Sequence, residues 1–118
     1  GWVTLGAAEW ARRRVAKEAT ADAIAPLLPS LRTLVNDANA ALRRIYARFR
    51  GESAAVPAPP HFLLDERGDS LLCTFYPPAR ARAFHESIAA LARSFEGLFA
   101  EGDVRVEIAG NRIIVVQL

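Results

Sequence analysis

The stretch HFLLDERGDSLLCTFY, residues 61–76, decides how this chain is read. His61 to Glu66 and Ser70 to Tyr76 are two short, mainly apolar runs, and Arg67-Gly68-Asp69 between them is a glycine-containing spacer of hairpin length. Runs so close in sequence pair as antiparallel strands, because a parallel pair needs a crossover of a dozen residues or more. Arg67-Gly68-Asp69 also spells an adhesion tripeptide; with no secretion signal in the sequence, it reads as a turn.

Towards the C-terminus, Pro77-Pro78 interrupts the second strand. Phe84, Ile88, Leu91, Ala92, Phe95, Leu98 and Phe99 then recur at helical spacing. Val104, Val106 and Ile108 alternate with Arg105 and Glu107, the pattern of a half-exposed strand. Ala109-Gly110-Asn111 turns the chain into Ile113 to Leu118, which reads as a nearly buried strand. This half is a ββαββ unit.

Towards the N-terminus, Glu52 to Pro60 is rich in alanine and proline and cannot continue a helix, since proline lacks the amide donor and clashes with the preceding turn. Gly51 suits the end of the helix before it. Leu31, Leu34, Val35, Ala38, Leu42, Ile45 and Phe49 form a stripe at three- and four-residue steps, and Pro29-Ser30 suits its start. A short connection or helix spans about Thr20 to Leu28. A further helix from about Leu5 to Lys17 places Trp2, Leu5, Ala8 and Val15 as inward candidates. The expected fold is α+β: two or three N-terminal helices (1–50), a Pro-rich linker (51–60) and a ββαββ part (61–118) with a four-stranded antiparallel sheet, all in one domain.

The 118 residues suit a single core, and 52% hydrophobic with 24% charged residues is the balance of a globular chain. The net charge is only +2. Two arginine clusters, Arg12-Arg13-Arg14 with Lys17 and Arg43, Arg44, Arg48 and Arg50, read first as solvated helix faces, which leaves nucleic acid the least favoured partner. The single cysteine, Cys73, sits in an apolar run and reads as a buried, inert thiol in a reducing compartment. No run of about 18 apolar residues and no signal peptide is present, so a cytoplasmic location and no membrane span are expected. The absence of methionine suggests a piece of a longer protein.

Catalytic chemistry finds little material. The only histidines are His61 and His85, no serine sits in a glycine-flanked elbow, and Cys73 shares a strand face with Leu71 and Phe75. His85-Glu86 alone falls short of the three or four ligands of a zinc site. None of the seven glycines lies in a phosphate-binding cluster. The chain reads as a binding or regulatory domain and not as an enzyme.

One resemblance sharpens this. Pro59-Pro60-His61-Phe62, a strand pair, Tyr76-Pro77-Pro78-Ala79-Arg80, an amphipathic helix and two closing strands resemble the C-terminal subdomain of the haem nitric oxide/oxygen binding (H-NOX) family. The resemblance implies that Tyr76 and Arg80 match the Tyr and Arg of the family's Tyr-x-Ser-x-Arg propionate motif, with Pro78 in place of the Ser, and that Pro60 matches the proline pressing on the macrocycle. The family's proximal histidine would fall among Asn39, Ala40, Ala41 and Leu42, none of which offers an imidazole. A haem-free relative is therefore implied, with no cofactor or metal: a signalling or sensory domain similar to vinyl-reductase-type domains, binding a small ligand between the long helix and the sheet. Tyr76, Arg80, Pro60 and Leu42 are its candidate ligand-binding residues, and Tyr76 and Arg80 are placed at the mouth of the pocket. The alternative is a dimerisation or docking module that uses its apolar helix faces or a sheet edge to meet a partner.

Overall fold

A computed structural model describes residues 23–49, 59–67 and 70–118. The expected helix at Leu5 to Lys17, most of the Pro-rich linker and the Gly68-Asp69 turn tip lie outside the described residues, as do the side chains of Arg48 and Phe49. Within them the expected α+β class holds: two helices and a four-stranded antiparallel sheet, with the β-β-α-β-β order.

The long helix α1 spans Leu28–Phe49. It begins three residues earlier than the apolar stripe alone indicates, because the 3-10 turn Ala25–Leu27, with Pro26 in its first positions, runs directly into it. Pro29 therefore lies within the first turn of α1, where a missing amide hydrogen leaves no intrahelical bond unmade. The stripe predicted for α1 splits by depth. Leu31, Val35 and Leu42 are buried, whereas Leu34, Ala38 and Ile45 are half-buried along one flank.

Strands β1 (His61–Arg67) and β2 (Ser70–Tyr76) form the hairpin read from residues 61–76, with Phe62 opposite Phe75 and Leu64 opposite Cys73. A 3-10 turn at Pro78–Arg80 leads to helix α2, His85–Leu98. Strands β3 (Val104–Ala109) and β4 (Arg112–Gln117) close a second hairpin. The strand order is β1-β2-β4-β3, so β4 inserts between β2 and β3, and β1 and β3 are the edges.

Both helices contribute to the core on one face of this sheet. Alternation decides which side chains meet them, since neighbours along a strand point to opposite faces. Phe62, Leu71, Cys73, Phe75, Ile113 and Val115 point inward against Leu31, Val35 and Leu42 of α1 and Ile88, Leu91, Ala92 and Phe95 of α2. Phe75 packs edge-on against Phe62, with ring centres 5.4 Å apart, and lies tilted by 33° against Phe84 at 5.3 Å. Leu64, Val104 and Val106 share that face at its margins, whereas Leu63, Leu72, Thr74, Tyr76, Ile114 and Val116 look to the opposite face.

Two asparagines stitch the sheet. Phe75 donates its backbone N–H to the Asn111 carbonyl at 2.7 Å, and Asn111 Nδ2 donates to the Phe75 carbonyl at 2.9 Å, which carries the β2–β4 ladder into the turn. On the far edge, Phe62 donates its N–H to Asn39 Oδ1 at 2.7 Å and accepts from Asn39 Nδ2 at 3.1 Å. The Asn39 amide thus stands in for a fifth strand at one position of β1 and ties α1 to the sheet edge.

Candidate functional site

The inward face of the sheet cannot occupy the whole apolar circumference of α1. The half-buried flank of Leu34, Ala38, Ala41 and Ile45 is left facing α2, which presents Ser87, Ala90, Leu91 and Ser94 in return. Alanine and serine at these facing positions keep the helices from filling the space between them. The result is an open groove of about 320 Å³, floored by Phe62 and Leu42 and bordered by Asp37. That volume is at the lower end of the range for small-molecule sites, roughly 300–1,000 Å³.

The groove's polar groups are few: the Ser87 and Ser94 hydroxyls and the Asp37 carboxylate. Ser94 donates its hydroxyl hydrogen to the Ala90 carbonyl at 3.1 Å, so its free lone pairs face outward as acceptors. Asp37 adds an exposed carboxylate at the rim. An apolar cleft edged by a carboxylate and two hydroxyls suits a small ligand with an apolar body and one polar or cationic group.

Of the residues singled out in the sequence, Leu42 lines this groove, and Pro60 is fully buried beside the start of β1 without lining it. Tyr76 and Arg80 are not part of the lining. Phe75 takes the inward position at the end of β2, so Tyr76 points to the opposite face, where it stacks on His61 with ring centres 5.6 Å apart. Arg80 is exposed at the end of the 3-10 turn. Of the four candidates, only Leu42 is therefore part of this groove. Ala41, Ser87, Ala90 and Ser94 have as their only signal for a groove the small side chains on one flank of each helix, and Asp37 has none.

The α1 positions matched to the proximal ligand of the H-NOX family have other uses. Asn39 has both amide atoms on the Phe62 backbone, and Ala41 and Leu42 line the groove. His61 places Nδ1 2.9 Å from the Pro59 carbonyl, away from α1. These residues do not fit axial ligation of a haem iron. Among the described residues, no group of three or more His, Cys, Asp or Glu side chains could hold a metal ion, and no helix is long and apolar enough to cross a membrane. Cys73 is fully buried between the helices and the sheet, and burial pushes its thiol up to about 12, opposite to the direction that makes a nucleophile. Of the second arginine cluster, Arg43 and Arg44 are exposed on α1. The first cluster lies outside the described residues.

Comparison of the chain with protein-family models, with curated proteins and with solved structures gives no match.

Proposed function

We propose that this chain is a non-catalytic sensory or regulatory domain that binds a small, largely apolar ligand in the groove between α1 and α2. The observation that carries the reading is the groove itself: an apolar cleft of about 320 Å³ flanked by alanine on α1 and by alanine and serine on α2, with two hydroxyls and a carboxylate as its polar groups. In terms of the H-NOX resemblance, the domain would keep the helix-on-sheet scaffold and use it for a ligand other than haem. The groove lies at the contact between two helices, so an occupant would alter their spacing, a physical route from binding to a signal.

The test uses N-phenyl-1-naphthylamine, a neutral apolar fluorophore that brightens on leaving water. The protein is expected to enhance its emission saturably. Ala90→Phe, at an exposed groove position, is expected to abolish the enhancement by filling the cleft, whereas Tyr76→Ala and Arg80→Ala leave it unchanged. Enhancement that survives Ala90→Phe, or that disappears with Tyr76→Ala, would move the site away from the groove.

A further inference from the structure

The two edges of the sheet are guarded unequally. In β1, Phe62, Leu64 and Glu66 direct their backbone groups away from β2. Asn39 occupies both groups of Phe62, and the Glu66 carboxylate is held by Arg32 at 2.7 Å. In β3 the outward positions follow from the turn. The Asn111 carbonyl reaches Phe75, so odd-numbered residues of β4 face β2 and even-numbered ones face β3. Arg105, Glu107 and Ala109 then bond to β4, and Val104, Val106 and Ile108 turn their N–H and C=O groups outward. Among the described residues nothing caps them. An open edge of this kind is a template for another strand.

The composition of β3 selects what that strand is. Its five residues Val104-Arg105-Val106-Glu107-Ile108 are self-complementary about Val106. Two antiparallel copies related by a two-fold axis at Val106 place Arg105 of each opposite Glu107 of the other, and Val104 opposite Ile108. Each copy's Arg105 and Glu107 already pair within the strand at 2.8 Å, exposed on the face away from the helices, and would only exchange partners. Val106 meets Val106 as a hydrogen-bonded pair through the N–H and C=O that β4 leaves free. Ile108, an exposed large apolar side chain, gains cover from Val104.

On the helix face the space over β3 is open, a cleft bordered by Glu96 and Phe99 of α2 beside Val104, Arg105 and Val106.

We infer that β3 is a homodimerisation edge, through which two copies of this chain join into one continuous eight-stranded sheet. The inference is independent of what the groove binds. Sedimentation equilibrium of the whole 118-residue chain tests it. The wild type is expected to dimerise reversibly below about 1 mM. Arg105→Glu and Glu107→Arg, each placing like charges across the two-fold, are expected to raise the dissociation constant about tenfold or more. Mixing these two variants restores a dimer, because the doubly acidic strand then faces the doubly basic one. Val106→Pro removes a donor that β4 does not use, and abolishes association while the far-UV circular dichroism stays native. A wild type that remains monomeric at about 1 mM overturns the inference. So does a dimer indifferent to both charge substitutions, or a mixture of the two variants that stays monomeric.

Discussion

Replacing Asn39 by leucine tests the clamp between α1 and the sheet edge. The change keeps the side chain's branching and removes both hydrogen bonds to Phe62, at 2.7 and 3.1 Å. It leaves a backbone N–H and C=O facing an apolar side chain. An unmade hydrogen bond at a buried group costs about 1–3 kcal/mol. Asn39 is only part-buried and the edge admits some water, so the two together should cost about 2–4 kcal/mol, a large share of the roughly 5–15 kcal/mol that holds a domain folded. Asn39→Asp keeps an acceptor for the N–H but sets a carboxylate against the carbonyl, and should also destabilise. Urea unfolding should be followed by far-UV circular dichroism, because both tryptophans, Trp2 and Trp10, lie outside the described residues. Amide exchange at Phe62 gives the local reading. An Asn39→Leu variant within about 0.5 kcal/mol of wild type, with Phe62 exchange unchanged, would refute the clamp.

Two further outcomes follow from the core and the second turn. Burial raises the Cys73 thiol from 9.0 to about 12, so above pH 9 the unfolded chain releases this proton before the folded one does. The stabilisation is complete below pH 9 and declines between pH 9 and about 12, by at most about 1.4 kcal/mol per pH unit. Wild-type stability should therefore fall more steeply over this range than that of Cys73→Val; parallel curves would count against it. Gly110 holds a φ of 61° in the β3–β4 turn, and a Cβ there would meet nothing within 4 Å. The cost of Gly110→Val is therefore one of backbone conformation, about 1–2 kcal/mol, and Gly110→Asn should recover much of it; equal urea midpoints for the two variants would contradict this.

The sheet was legible because its signals are local. Alternation in Val104 to Ile108 and the short spacers at Arg67-Gly68-Asp69 and Ala109-Gly110-Asn111 set strands and hairpins within a few residues. The start of α1 was less so, since the apolar stripe begins only at Leu31, and it is the continuity of Ala25–Leu27 into Leu28 that sets the first turn around Pro29. The groove was not legible from periodicity. Leu34, Ala38 and Ile45 carry the same pattern as Leu31, Val35 and Leu42, and only the placement of α2 separates lining from core. Alternation after Phe75 sends Tyr76 to the opposite face, a matter of strand parity on which the chemistry of a Tyr76–Arg80 motif is silent. Asn39 gave no warning, because a mid-helix asparagine ordinarily points to solvent.

The insertion of β4 between β2 and β3 has a consequence for assembly. Each hairpin closes over a handful of residues, but the ladder between Leu71–Thr74 and Arg112–Val115 can close only after the chain has travelled through the whole of α2. Drawing ends so far apart together costs about 3 kcal/mol in lost chain freedom. The centre of the sheet is thus its most expensive junction to form, and its cohesion depends on the helices that bury Cys73 and Ile113 against each other there.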